Sequence, residues 1–275
     1  MRPTLRQPLH IIRATKDPRS IRSLAARWIE ALAVRNYTAQ SLEHRAHLLH
    51  YFATWAEDRG VIRAAQVTKQ HLGLYSRTLF HRRKKNGQHL STSTRYARIA
   101  MVCVFYRWAK RNGHVAENPG ADFELPKTEK RLPKAILTAD EVEQVMSQPD
   151  ISDPLGLRAR AILEVLYATG MRRKEVAGLR VDSIDADRGV VMIRQGKGRK
   201  DRVVPISERA IRWVRRYEEF VRPTLVVPPD EGSLFVSSRG GPLGHAYVGD
   251  LCRRYIGNAN LGSARPTRFG TPVRR

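Results

Sequence analysis

Two cations offer the most chemistry in this chain of 275 residues. Arg172 lies in the run Tyr167-Ala168-Thr169-Gly170-Met171-Arg172-Arg173-Lys174-Glu175-Val176-Ala177-Gly178-Leu179, and Lys197 follows 25 residues later within Gly196-Lys197-Gly198. The first run sets a guanidinium at a helix–turn–helix corner, and the second sets an ammonium on a β-turn. Cations converging from two elements suit a phosphodiester whose charge grows during transfer. An Arg fork bridges two non-bridging oxygens, while a Lys on a turn donates a proton to a leaving alkoxide. The same residues admit a plainer reading, in which Arg172 pairs with a helix C-terminus and Lys197 is an exposed turn lysine.

The elements that must hold these groups are mostly helices. One apolar stripe runs through Ile21, Leu24, Ala25, Trp28 and Leu32, and a second through Leu42, Ala46, Leu49, Ala53 and Ala56 before Gly60. Val67 to Leu79 makes a third helix. After the turn at Asn86-Gly87, Ser91 and Ser93 are candidate N-caps for a fourth helix with Ala97, Met101, Val104 and Trp108 on one face. The stretch from Pro119 to Pro133 has no period and three prolines, so it reads as a linker. A capping box at Thr138 and Glu141 opens a second region. Its next stripe is Leu157, Ala161, Val165 and Ala168, closed by Gly170, and Lys174 to Leu179 fits a short helix. The runs 189–193 and 202–206 form a hairpin whose second strand lies at an edge because of Pro205. Ser207 caps a helix carrying Ala210, Val214, Tyr217 and Val221. A short strand around Leu234-Phe235-Val236 and a helix from about Ala246 to Ala259 follow. The expected divisions are a tail at 1–17, a helical domain at 18–112, a linker at 113–134, a second domain at 135–262 and an aperiodic tail at 263–275. The fold class is mainly α with a small β-hairpin or sheet in the second domain.

Charge narrows the class of partner. Lys and Arg number 50 against 26 Asp and Glu, a formal net charge of +24 with a sequence pI near 10.9. That excludes most ordinary metabolic enzymes and points to a polyanion, nucleic acid first and an anionic membrane surface second. The chain has no run of 18 apolar residues and no signal-peptide core, so a cytoplasmic protein with no membrane attachment is expected. Cys103 and Cys252 are the only cysteines, each within a helical segment, and encode neither a disulfide framework nor a zinc site. Arg82, Arg83, Lys84, Lys85 and Arg95, at the entrance to the fourth helix, and Arg199, Lys200 and Arg202, on the hairpin, are the candidate DNA contacts. Such contacts give affinity more than sequence discrimination.

Taken in order and spacing, these segments resemble the tyrosine recombinase (phage integrase) family, particularly its Xer-like and integron-like members. The resemblance rests on the ATGMR-x-x-E corner and the Gly196-Lys197-Gly198 hairpin, with Asn118-Pro119, Leu125-Pro126-Lys127 and the text from Ser91 to Trp108. It covers about residues 18–262. It implies a SAM-like helical core-binding domain and a catalytic domain closing on double-stranded DNA as a two-domain clamp. It also implies Arg172 and Lys197 as catalytic residues, with Glu175 in the supporting acidic position. In that family a tyrosine attacks the scissile phosphate to give a 3′-phosphotyrosyl link, two Arg and a His stabilise the pentavalent state, and Lys protonates the leaving 5′ oxygen. The chemistry uses no metal and no cofactor, and family members assemble as synaptic tetramers.

The sequence departs from the family at its C-terminal side. The last Tyr is Tyr255, inside the amphipathic segment Tyr247 to Ile256 and structural in character, so no nucleophile is assigned. The last His is His245, and the His-x-x-Arg-His box is absent as written; Arg268 lacks its flanking histidines. Read one frame over, the codons of Pro266 to Pro272 can spell His-x-x-Arg-His-Thr. The expectation is a frameshift near residue 262 that leaves a recombinase able to bind DNA without its chemistry, and with doubtful assembly into a tetramer. The competing readings are a non-catalytic duplex-DNA-binding protein occupying recombination sites and an RNA-binding or ribosome-associated protein.

Overall fold

The computed structural model describes residues 3–128, 137–194, 196 and 200–259. The chain divides into two compact units at Lys130 and Arg131. The tail at 263–275 and its shifted-frame box lie outside the described residues.

The first unit contains five α-helices among its described residues: α1 (Pro3–Ile12), α2 (Ile21–Val34), α3 (Ala39–Glu57), α4 (Lys69–His81) and α5 (Thr92–Arg111). Local chemistry sets their starts. Ser20, Thr38, Thr68 and Ser91 each accept a backbone N–H from the first turn of the helix they precede, which satisfies a donor that has no intrahelical partner. The stripes expected on α2 and α3 are all buried. On α5 the buried face is instead Ile99, Val102, Cys103, Phe105, Tyr106 and Ala109, while Val104 is exposed. Apolar residues lie on several sides of this helix, so its inward face is chosen by α2, α3 and α4.

Two further differences enlarge this unit. The segment expected as an N-terminal tail contains α1, whose Ile12 is fully buried and which packs on α2 and α3. The expected linker begins at 113, yet Val115 is buried and Phe123 and Leu125 lie against the same core. Gly120 sits directly on α5, where a Cβ would come within 2.7 Å of the Cys103 sulfur. Apolar anchors thus hold a stretch that has no period of its own.

The second unit is built around α7 (Pro154–Thr169), which packs against α6 (Ala139–Met146), α8 (Arg173–Ala177), α9 (Glu208–Phe220) and α11 (His245–Asn258). A short α10 (Arg222–Leu225) follows α9. Thr138 and Glu141 form the expected capping box on α6, and Ser207 caps α9. Beside the helices lies an antiparallel sheet in the order β1 (Ile184–Asp185), β2 (Val190–Ile193), β3 (Arg202–Pro205). Pro205 ends the edge strand opposite Val190, where a missing N–H is tolerated. The strand expected at 234–236 is not formed. Those three side chains are buried, but the backbone makes only isolated bridges, with Val236 opposite Pro242. Burial rather than pairing accounts for that apolar run.

Arg158 of α7 is 1% exposed and ties the unit together. It donates to the Val236 carbonyl at 2.6 Å and to the Tyr247 hydroxyl at 2.7 Å. Both cysteines are buried free thiols, and burial pushes the Cys252 thiol up to about 12. Among the described residues no helix is long and apolar enough to cross a membrane.

Candidate functional site

Helix α7 stops because Gly170 takes a left-handed conformation with φ of 63°, and its N–H returns to the Leu166 carbonyl. Met171 is buried, which fixes the next residue as the N-cap of α8. That residue is Arg172, and its side chain remains 56% exposed. Sequence thus places a guanidinium at the surface on a short, well-anchored turn.

Glu175 organises what surrounds it. Its side chain is only 6% exposed, and its carboxylate accepts the Arg172 backbone N–H at 2.8 Å and an Arg172 Nη1 bond at 3.0 Å. From the hairpin, Arg202 adds a bidentate pair, Nη1 to Oε1 at 2.9 Å and Nη2 to Oε2 at 2.7 Å. The paired Arg202 first, and then the Arg172 donors, overcome burial and hold the Glu175 carboxyl down to about 2. It is therefore ionised at any ordinary pH, and one buried anion fixes two guanidiniums from different elements.

The same carboxylate meets the base of the β2–β3 turn. Gly196 donates to the Lys200 carbonyl at 3.1 Å, and a Cβ there would lie 2.8 Å from Arg202 Nη1 and 3.3 Å from Glu175 Oε1. Only glycine fits without moving the pair. Arg172, Glu175 and Arg202 are thus brought together beside the point where the turn departs. Lys197 and Arg199 lie outside the described residues, and Lys200 is exposed at the turn's far side. Arg202, grouped from sequence with the outward-facing cations of the hairpin, turns inward because buried Glu175 requires a neutralising partner.

In the first unit, Arg82, Arg83, Lys84 and Lys85 occupy the exposed turn between α4 and α5, closed by a Lys84–Gln88 backbone bond at 2.8 Å. The Arg95 guanidinium lies 5.0 Å from the Phe80 ring centre. Sequence reading missed Arg98, which stacks 4.2 Å over the Tyr51 ring, with Arg82 at 5.9 Å from the same ring. Among the described residues, no carboxylate lies within ion-pair distance of Arg82, Arg83, Lys84, Lys85, Arg95 or Arg98. Among the described residues there is also no group of His, Cys, Asp and Glu arranged to hold a metal ion.

The phage integrase family matches residues 135–269. Tyrosine recombinase XerC 2 of Ralstonia nicotianae is 41% identical over 232 residues, covering 84% of this chain and 67% of the relative. The chain belongs to the tyrosine recombinase family. XerC of Oceanobacillus iheyensis is 30% identical over 85% of this chain and 75% of its own length. The chain spans only 55% of a 38%-identical XerD from Lacticaseibacillus casei, matching over 59% of its own residues. Among solved structures, a Tn1549 transposon integrase in complex with a circular intermediate DNA shares the fold, with a TM-score of 0.69 and 18% identity, over 91% of this chain and 84% of that one. Within a tyrosine recombinase, the Arg172–Glu175 corner and the glycine-flanked turn are the two segments whose wording carried the resemblance.

Proposed function

We propose that this chain acts on double-stranded DNA in site-specific recombination, with Arg172 contacting the scissile phosphate and Lys197 giving its proton to the 5′ oxygen that a tyrosine hydroxyl, not assigned among this sequence's residues, displaces from phosphorus. The carrying observation is the buried Glu175 carboxylate, which fixes the exposed Arg172 fork beside the base of the Lys197 turn. A fixed, partly exposed guanidinium contributes most where negative charge develops on the phosphoryl oxygens, because it needs no reorganisation as the charge grows. Glu175 is then a positioning residue. Arg82, Arg83, Lys84, Lys85 and Arg95, with Arg199 and Lys200 of the hairpin, supply phosphate contacts. The reaction class needs no metal or cofactor. It takes place in the cytoplasm, with copies of the chain associating on DNA.

A second reading, a non-catalytic occupant of recombination sites, is favoured by the placement of Tyr255. This residue is 8% exposed within the core of the second unit, with Arg254 5.0 Å from its ring centre, so it receives no role as nucleophile. A duplex suicide substrate, which traps a covalent protein–DNA link, separates the two. An adduct that disappears with Arg172→Ala and survives Tyr255→Phe supports catalysis. Duplex binding without any adduct supports occupancy alone. Preference for single-stranded RNA over duplex DNA would overturn both.

A further inference from the structure

From Arg59 to Ala116 the sequence holds thirteen Lys and Arg and no Asp or Glu. This stretch supplies α4, the basic turn and α5, and its central feature is partly built into the protein rather than spread over its surface. The Arg98 guanidinium is stacked on Tyr51, yet its Nε and Nη1 are shielded from solvent and have no hydrogen-bond partner. The hydroxyl of Tyr75, a residue 2% exposed, is likewise shielded and unpartnered. Arg98, Arg82 and Tyr51 all act electrostatically on Tyr75, which places the four groups in one locality. Burial pushes the Tyr75 hydroxyl up to about 12, so it keeps its proton and remains a donor at neutral pH.

Buried donors without acceptors are rare, and Arg98 Nε, Arg98 Nη1 and the Tyr75 hydroxyl, lying in one locality, call for an acceptor. No described residue accepts from these atoms; the stretch has no carboxylate, and Glu57, the last residue of α3, is bound by Arg22 at 2.6 Å. An anion carrying several oxygens suits a locality that holds two guanidiniums and a phenol. A phosphodiester group matches that description, and its two non-bridging oxygens suit a guanidinium fork.

We propose that Arg98, Arg82 and Tyr75, with Arg98 braced on Tyr51, form a phosphate-binding site in the first unit that holds one backbone phosphate of the duplex. Its ligand source rests on the DNA-acting reading above. Arg82 is exposed at the edge of this locality, and Arg98 is held on the Tyr51 ring. The exposed Lys84 and Lys85 add general attraction. Arg98 and Tyr75 differ from them in offering donors already desolvated and oriented.

The test is duplex affinity of the full chain across a NaCl series, for wild type, Arg98→Gln, Arg98→Lys and Tyr75→Phe, with folding monitored by thermal melting. Arg98→Gln is expected to lower affinity by about tenfold and to flatten the log–log salt slope by about one phosphate's worth. Arg98→Lys retains the charge and loses the fork, so the slope is kept while affinity falls. Tyr75→Phe lowers affinity by about three- to tenfold with no change in slope, since it removes a donor and no charge. Wild-type affinity and slope in Arg98→Gln and Tyr75→Phe would overturn the site and leave the DNA-acting reading standing. Failure of the wild-type chain to bind duplex would overturn that reading itself. Inorganic phosphate titrated against the same variants separates the sources: a response to Arg98→Gln there, without one for duplex, would assign the site to free phosphate and overturn the DNA contact.

Discussion

Around Glu175 and around the α4–α5 turn, the two units treat arginine in opposite ways. In the second, Arg172 and Arg202 share Glu175, Arg160 and Arg209 share Glu164, and Arg222 holds Asp230 at 2.8 Å. In the first, around the α4–α5 turn, Arg82 and Arg98 lie on Tyr51 and Arg95 on Phe80, with no carboxylate in reach among the described residues. A carboxylate fixes a guanidinium and cancels its charge. An aromatic face fixes it and leaves the charge available. The Glu175 corner therefore uses arginine to define a geometry, and the α4–α5 region keeps arginine as field for an anion that arrives from outside.

The largest test of this contrast neutralises the turn. Changing Arg82, Arg83, Lys84 and Lys85 together to Gln should cost about 3 kcal/mol of duplex affinity at moderate salt while leaving the melting temperature nearly unchanged. Gel-shift and thermal-melt measurements read the two effects, and a large loss of stability would show that the turn's charges are structural. Next in size, Glu175→Gln should destabilise the second unit by about 2 kcal/mol, because Arg202 loses its anion while remaining partly solvated. Denaturant unfolding measures it, and a variant as stable as wild type would remove the basis for an organising role.

The same pair gives a pH dependence. Glu175 titrates at about 2 in the folded chain against an ordinary value of 4.5. Its stabilising contribution is therefore complete above about pH 4.5 and is lost as pH falls toward 2. The stability gap between wild type and Glu175→Gln should close across that window in an acid series. A gap constant from pH 7 to 2.5 would rule out the depressed carboxyl. The smallest effect belongs to Tyr51→Leu, which removes the platform under Arg98 and should weaken duplex binding by about 1 kcal/mol. Here the salt slope should stay the same, because every cation remains.

Much of this arrangement was legible in the sequence, and the limits have physical causes. The stripes of α2, α3 and α9 and the Thr138–Glu141 box were readable because a local period and a local cap determine them. Arg172 and Glu175 were readable as one corner through the ATGMR-x-x-E wording that carries the resemblance. The Arg202–Glu175 pair was not, since 27 residues and a hairpin separate its members. The α5 face, the two-residue β1 and the absent strand at 234–236 depend on neighbours supplied by other segments. Arg98 was missed because its meaning comes from Tyr51 and Tyr75 on other helices. The carboxylate-free stretch from 59 to 116 is the one sequence signal that could have flagged it.

The packing of Gly120 against Cys103 has a practical consequence for dissecting the protein. A fragment ended at Asn112, where the helical period stops, would strip Val115, Phe123 and Leu125 from their core and uncover a thiol that burial now shields and pushes up. Cys103 thereby becomes a built-in clock for the detachment of this strap. The rate at which a thiol reagent labels it reports how often residues 113–125 lift away, and a fragment extended through Lys127 should keep that clock slow.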